Sequence, residues 1–148
     1  MSIQTVGIIG AGTMGNGIAQ ICAASGIRCV MVDISEEAVA RGLATVSASL
    51  DRLVKKEKIS AADKAAALAL ITGSTRYEDL RDAQLVIEAA TENYELKLKI
   101  LRQIDALVAP DVIIASNTSS ISITKLAAAT QRADRFIGMH FFNPVPLM

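Results

Sequence analysis

Residues 6–33 read VGIIGAGTMGNGIAQICAASGIRCVMVD, and this stretch decides the fold that we predict. The run from Thr5 to Ile9 is short, apolar and β-branched, which favours a buried strand. A glycine-rich turn follows, then apolar side chains at helical spacing, and Gly26 is placed to end that helix. A second apolar run from Arg28 to Val32 is closed by Asp33. This order predicts a strand, a helix and a second, parallel strand.

The turn after the first strand has the spacing G-x-G-x-x-G. Gly10 allows a tight turn, Gly12 lets the backbone approach a bound group because it has no Cβ, and Gly15 permits close packing of helix on strand. The free N–H groups at the start of the helix favour a bound pyrophosphate. An ordinary βαβ unit with a glycine turn is the alternative. The complete order of elements favours a dinucleotide site, with predicted contacts from Gly10, Ala11, Gly12, Thr13, Met14, Gly15 and Asp33.

Asp33 also bears on which dinucleotide binds. A carboxylate about 20 residues after the glycine turn can accept hydrogen bonds from the ribose hydroxyls of an adenosine. The next residues include Glu36 and Glu37, with no Arg or Lys close by in sequence. A phosphate on that ribose would therefore meet carboxylates and no cation. The sequence predicts NAD as the cofactor rather than NADP.

Composition excludes several classes of protein. The 148 residues suit one domain, and 51% hydrophobic with 3% aromatic content indicates the aliphatic core of an α/β protein. A net charge of zero gives no reason to expect nucleic acid or a membrane as a partner. Cys22 and Cys29 are too few for a metal site or a disulfide scaffold, so we interpret both as core residues. Without a membrane-length apolar run or a signal-peptide pattern, we expect a cytoplasmic protein.

The remaining chain alternates helical and extended patterns. Ser35 is placed to cap a helix that runs to about Lys56, and Ser60 to cap a second helix over 61–71. They form a helical hairpin (about 35–72), inserted for ligand or partner contacts or as a structural elaboration only. The other predicted elements are strands at 75–77, 84–90, 112–116 and 135–139, a helical turn at 78–82, and helices at 92–108 (with Leu96, Ile100, Leu101, Ile104 and Leu107 inward) and 123–128. We therefore predict an α/β fold, a Rossmann-type doubly wound parallel sheet, forming one NAD-binding domain over residues 1–148.

Polar clusters follow the predicted strands, at 10–15, 88–92, 116–120 and 140–143, where ligands of such sheets bind. His140 is the single histidine. Beside a nicotinamide it can accept a substrate's hydroxyl proton as hydride leaves, although a structural histidine is the alternative. A base of this kind needs an orienting acid, and Asp134 should lie at the opposite end of its strand. The turn at 116–120 can cap the next helix or offer hydroxyls to a substrate oxygen, and the two uses are compatible.

Three motifs in this order and spacing resemble the NAD-binding domain of L-3-hydroxyacyl-CoA dehydrogenases: the glycine turn, SNTSS at 116–120 and HFFNPVP at 140–146. The whole chain is similar to the bacterial 3-hydroxybutyryl-CoA dehydrogenases of this family. The resemblance implies that His140 is the general base and that Ser119 contacts the substrate's 3-oxygen and the nicotinamide. It also implies that Asn143, Glu92 and Lys97 line the NAD site.

The resemblance further implies that Ser49 and Lys56 of the hairpin hold coenzyme A. Their seven-residue spacing puts them on one helix face with Arg52 between them, and a cationic face suits the CoA phosphates. A solvated basic surface is the alternative.

Family members continue into a helical C-terminal domain, whereas this sequence stops at Met148. The resemblance implies that this domain closes over an acyl-CoA substrate and forms a homodimer, and that the glutamate pairing with His140 also lies beyond Met148. We therefore expect a truncated chain that binds NADH but turns over poorly. The alternatives are a dehydrogenase of a free hydroxy or sugar acid, and an NAD(H)-binding module without turnover.

Overall fold

The sheet is parallel, and its strand order reverses at the centre. The computed structural model describes residues 2–118, 120–141 and 145–147. Within them the strands are β1 (Thr5–Ile9), β2 (Arg28–Val32), β3 (Ile71–Ser74), β4 (Leu85–Glu88), β5 (Ile113–Ser116) and β6 (Phe136–Gly138). They pair in the order β3-β2-β1-β4-β5-β6, which is the order of a doubly wound dinucleotide-binding sheet. The predicted fold class is confirmed, and a crevice forms where the order reverses, beyond the carboxyl ends of β1 and β4.

The second to fifth helices begin after a residue whose side chain caps them, whereas the first begins after Gly12 without a side-chain cap. They are α1 (Thr13–Ala24), α2 (Glu36–Lys55), α3 (Ala61–Ala69), α4 (Tyr94–Leu107) and α5 (Ile123–Ala128), with 3-10 turns at Tyr77–Leu80, Ala133–Arg135 and Val145–Leu147. Ser35 Oγ accepts a hydrogen bond from the N–H of Ala38 at 3.1 Å, as predicted for the start of α2. Ser60 and Asp63 form a reciprocal capping box at the start of α3. Helices α2 and α3 are the predicted hairpin, and they lie between β2 and β3 in the chain.

Apolar side chains alternate between the two faces of the sheet, so each face has its own helical layer. Ile8 and Ile87 belong to a core cluster shared with α1, α2 and α3. Ile9 and Val86 belong to a second cluster shared with α4 and α5. Cys29 lies in the first cluster, and Cys22 packs against it as a partly buried residue. Two buried layers hold the sheet rigid, which fixes the loops at the carboxyl ends of its strands.

The connection from the hairpin to β4 differs from the sequence prediction. Helix α3 ends at Ala69, residues Ile71–Ser74 form β3, and the predicted strand at 75–77 is wrong. Ile71 pairs with Cys29 and Ser74 with Val32, so backbone pairing with β2 selects the strand. Strand preference depends on such tertiary partners, which local sequence does not reveal.

The inward face of α4 also differs. Ile100, Leu101 and Ile104 are buried as predicted, but Leu96 is 47% exposed. Lys97 occupies a core position instead, with its side chain fully buried. Residues 97, 101 and 104 share one helix face, so Leu96 lies beside that face and points to the crevice side of the helix. A lysine in a core position is the reason that the hydrophobic pattern misplaced the face.

Candidate functional site

The glycine turn is fixed against β2 by hydrogen bonds at its start. Gly10 has φ +108°, a conformation that favours glycine, and its N–H donates to the carbonyl of Val32 at 2.7 Å. Asp33 Oδ2 accepts from the N–H of Ala11 at 2.7 Å, and Oδ1 accepts from the N–H of Ile34 at 2.6 Å. Each carboxylate oxygen keeps a second lone pair, so Asp33 can still accept hydrogen bonds from ribose hydroxyls.

Two other glycines of the turn face different surroundings. A Cβ on Gly15 would lie 1.7 Å from the carbonyl oxygen of Gly10, so the helix packs directly on the turn, as predicted. A Cβ on Gly12 would meet no atom within 4 Å, so this side of the turn is open to the crevice. Gly42 of α2 also approaches the turn, since its Cβ would lie 2.7 Å from the carbonyl oxygen of Ala11. That contact between the hairpin and the turn was not predicted.

Asp33 lies between two cavities that together extend along the crevice. One, of about 330 Å³, has mostly apolar walls that include Gly10, Tyr77 and Leu96, a lining that would suit an adenine base. Burial raises the pKa of Tyr77 above its ordinary value, and the negative charges of Asp33 and Glu88 act in the same direction, so its hydroxyl stays protonated. Leu96, exposed on α4, therefore lines a cavity rather than the core.

The second cavity, of about 320 Å³, lies over the start of α1 and is lined by Gly12, Thr13, Asn16 and Arg41 among others. Free helix N–H groups and a guanidinium suit a pyrophosphate. Arg41 was missed at the sequence level, because it stands eight residues after Asp33 and reaches the site only through the second turn of α2.

A larger apolar cavity, of about 470 Å³, lies between α1 and the hairpin, with Ile21, Leu53, Ile59 and Pro146 in its walls. It includes Gly26 and so lies toward the opposite end of α1 from the glycine turn. We place the functional site in the crevice rather than in this cavity, because the glycine turn and Asp33 line the crevice.

A fully buried ion pair lies beneath the crevice. Lys97 Nζ donates to Glu88 Oε1, and both side chains are completely buried. Ser116 Oγ donates to the same carboxylate oxygen at 2.8 Å, and Glu88 Oε2 accepts from the N–H of Ala90 at 2.9 Å. Lys97, predicted to line the NAD site, thus holds the ends of β4 and β5 together from below. The buried role of Glu88 could have been inferred from the sequence, because a carboxylate that ends an apolar strand requires a buried partner.

The turn after β5 is held by Glu92. Its Oε2 accepts from Thr118 Oγ1 at 2.9 Å and from Ser120 Oγ at 2.6 Å. Desolvation alone would raise the pKa of Glu92. The two hydrogen bonds, followed by the electrostatic effects of Lys97 and His140, outweigh it and lower that pKa below its ordinary value. The predicted residues Ser119 and Asn143 lie outside the described residues.

His140 follows β6 at the same edge of the sheet and is exposed. The N–H of Met139 donates to the carbonyl of Ser116 at 3.0 Å, and the N–H of Phe141 donates to Asn117 Oδ1 at 2.8 Å. The backbone on each side of His140 is therefore attached to the end of β5. Asp134 lies in the 3-10 turn before β6, at the opposite end of the strand, as predicted.

The predicted CoA residues lie on α2. Ser49 is half-buried, whereas Arg52 and Lys56 are exposed, and Lys56 is the residue at the C-terminal cap. The face is therefore cationic and accessible. In the described ranges no cluster of three or more His, Cys, Asp or Glu residues is arranged to hold a metal ion, and no helix there is long and apolar enough to cross a membrane.

The strand order, the glycine turn and the acid at the end of β2 define a Rossmann-type dinucleotide-binding domain. The chain belongs to the family described as 3-hydroxyacyl-CoA dehydrogenase, NAD binding domain, whose model matches residues 5–148. Its cofactor is NAD, as the sequence predicted.

Individual relatives support this assignment. A 3-hydroxybutyryl-CoA dehydrogenase of Bradyrhizobium diazoefficiens is 49% identical over 146 residues, covering 99% of this chain and 50% of that protein. The crystal structure of (S)-3-hydroxybutyryl-CoA dehydrogenase PaaH1 from Ralstonia eutropha is 73% identical with a TM-score of 0.98, covering 99% of this chain and 52% of that one. FadB2 of M. tuberculosis is 43% identical with a TM-score of 0.97, covering 100% and 52%. The chain thus spans about half the length of the curated relatives it matches.

Proposed function

We propose that this domain provides the NAD site and the general base of a dehydrogenase that oxidises (S)-3-hydroxyacyl-CoA, in particular 3-hydroxybutyryl-CoA. The reaction is (S)-3-hydroxyacyl-CoA + NAD⁺ → 3-oxoacyl-CoA + NADH + H⁺. The observation that carries the proposal is the attachment of the His140 backbone to the turn at 116–120, beside the crevice. The names of the relatives agree with this substrate class.

Different residues of the chain bind the cofactor and transfer the proton in this reaction. Backbone N–H groups of the glycine turn and Asp33 bind and orient the cofactor, which when bound accepts a hydride from the carbinol carbon. His140 accepts the hydroxyl proton as the carbonyl forms, and returns a proton in the reverse direction. Ser119, as the resemblance implies, contacts the 3-oxygen and the nicotinamide, with Asn143 beside the nicotinamide.

His140→Ala tests the role of the base. In the complete protein we expect kcat for 3-hydroxybutyryl-CoA to fall roughly 100- to 10,000-fold, the usual contribution of a positioned general base. The dissociation constant for NADH should stay within twofold. Unchanged turnover in His140→Ala would favour a non-catalytic NAD(H)-binding module.

Lys56→Ala tests the CoA contact, and Lys55→Ala is its matched control. Both lysines are exposed and adjacent in sequence, but they project about 100° apart around the helix, so only Lys56 shares the face of Ser49. We expect Lys56→Ala and Ser49→Ala to raise the Michaelis constant for acyl-CoA at least fivefold, with little effect from Lys55→Ala. If Lys56→Ala changed nothing, a free hydroxy acid would become the better substrate class.

The cellular setting and assembly also belong to the proposal. We place the protein in the cytoplasm, and the free thiols of Cys22 and Cys29 suit that reducing compartment. The family resemblance implies a homodimer formed through a further helical domain. Sedimentation of the complete protein beside this 148-residue chain tests it, since a monomeric complete protein would contradict the dimer.

A further inference from the structure

Asn117 connects the ends of three strands. It follows β5 directly, and its N–H donates to the carbonyl of Glu88, the last residue of β4, at 2.8 Å. Its side-chain Oδ1 accepts from the N–H of Phe141, which follows β6, at 2.8 Å. One residue thus spans a sequence separation of 24 positions to reach the segment that carries His140.

Buried side chains hold the backbone of Asn117 in place. Ser116, its neighbour, is fully buried, and its hydroxyl is bonded to Glu88. Glu88 is held in turn by Lys97 from α4. Because these three side chains have no exposed surface and satisfy one another, the backbone of Asn117 has little freedom to shift. The position of its amide oxygen is therefore set by the core.

His140 stands between two attached backbone groups. The N–H of Met139 bonds to the carbonyl of Ser116, which continues the pairing of β6 with β5. The N–H of Phe141 lies past the last strand residue, and its bond is to a side chain, Asn117 Oδ1. Removal of that oxygen leaves the Phe141 N–H without this acceptor, so the backbone can rotate after Met139 and carry the imidazole with it.

We propose that Asn117 is a positioning residue that fixes the direction of the His140 side chain through the backbone of Phe141. Its consequence for turnover rests on the proposed role of His140 as the base. A positioned base loses rate steeply when it is displaced, and a shift of about 1 Å can cost on the order of 100-fold. The hydrogen bond itself is independent of any reaction and can be tested separately.

The test compares Asn117→Ala with Asn117→Asp, which keeps an oxygen at the same reach, and with Ser60→Ala, which removes a remote cap of α3. Hydrogen exchange of the Phe141 amide in this chain should speed up at least tenfold in Asn117→Ala and stay within threefold of wild type in the other two. Because His140 is the single histidine, its imidazole NMR signals are unambiguous, and they should change in Asn117→Ala but not in Ser60→Ala. If the alanine variant does not fold, Asn117→Ser replaces it, since its shorter side chain does not reach Phe141.

In the complete protein, Asn117→Ala should lower kcat at least tenfold and leave the Michaelis constant for NAD within twofold, with Asn117→Asp recovering most of the rate. Unchanged Phe141 exchange in Asn117→Ala would overturn the proposal, as would an equal effect of Ser60→Ala. A failure of the proposed function has a different signature. In that case His140→Ala would keep its activity while Asn117→Ala still exposed the Phe141 amide.

Discussion

Gly12 and Gly15 stand three residues apart in one turn, but only Gly15 is enclosed by protein. A Cβ at Gly15 would overlap the carbonyl oxygen of Gly10, a backbone atom that cannot move without opening the turn. We expect Gly15→Ala to lower the free energy of unfolding by about 3 kcal/mol, the upper end of the usual cost of overpacking. Urea unfolding of this chain measures it.

Gly12→Ala is the matched comparison. Its Cβ meets no protein atom and its φ of −70° suits alanine, so stability should change by less than about 0.5 kcal/mol. The added methyl projects into the crevice, where we expect it to weaken NADH binding at least tenfold. Equal loss of stability in both variants, or wild-type NADH affinity in Gly12→Ala, would contradict this division of roles.

The contribution of Glu92 to the stability of the folded chain depends on pH. Its pKa in the folded chain lies below the ordinary value, so its contribution to stability is present above the unfolded pKa of about 4.3 and is lost as pH falls through the folded pKa. Glu92→Gln removes the charge at every pH. The stability difference between wild type and Glu92→Gln should therefore be larger at pH 7 than at pH 3, as measured by urea unfolding. A difference independent of pH would contradict the role of the charge.

At the level of helices and strands, Arg132 has a structural role that no sequence motif predicted. Its guanidinium bonds the carboxylate of Asp105 at 2.6 Å and donates to the carbonyls of Asp105, Val108, Ala109 and Val112. These carbonyls include the C-terminal end of α4, which has no further helical donors of its own. The buried arginine thus caps α4 and ties it to the segment between α5 and β6.

Arg132→Lys keeps the charge but loses the planar array of donors. We expect a loss of about 1–3 kcal/mol, since buried carbonyls are left without partners. Arg135→Lys is the control, because Arg135 is exposed and donates at 3.3 Å to the carbonyl of Asp111, so its change should stay within about 0.5 kcal/mol. Chemical unfolding of the two variants compares them directly, and similar losses would refute the capping role.

The difference between local and tertiary interactions explains which elements the sequence could predict. The caps at Ser35 and Ser60 are local signals, and both helices begin where those residues stand. Strand β3 depends on pairing with β2, and the face of α4 depends on a lysine whose partner is nine residues away in β4. Periodicity treats a lysine as exposed, so a charge that is buried with its counter-ion shifts the predicted face.

At the scale of the whole molecule, topology predicts where the site lies but not which side chains meet there. A parallel sheet brings every carboxyl end to one edge, so the crevice followed from the order of strands and helices. The bond from Asn117 to Phe141 and the approach of Arg41 to the glycine turn depend on packing across the sheet and on the second turn of α2. Neither arrangement is encoded in a local pattern.

Binding of the cofactor should be visible as stability of the entire domain. NADH at 100 times its dissociation constant adds about 2.7 kcal/mol to the folded state. For a chain of this size that corresponds to a rise in Tm of roughly 5–11 °C. NADPH at the same concentration should raise Tm less, because its extra phosphate meets the Asp33 carboxylate, whose oxygens are held in place by the N–H groups of Ala11 and Ile34.

Thermal unfolding with each nucleotide, repeated in Asp33→Asn and in Arg41→Gln, distinguishes the effect of the Asp33 charge on nucleotide binding from that of the Arg41 charge. We expect Asp33→Asn to reduce the preference for NADH, since it removes the repulsion of a 2′-phosphate. Arg41→Gln should weaken both nucleotides alike if the guanidinium binds the pyrophosphate that they share. If NADH and NADPH raised the Tm of the wild-type chain equally, and Arg41→Gln lost only the stabilisation by NADPH, Arg41 would instead be a ligand of the 2′-phosphate. That result would overturn the argument from Asp33.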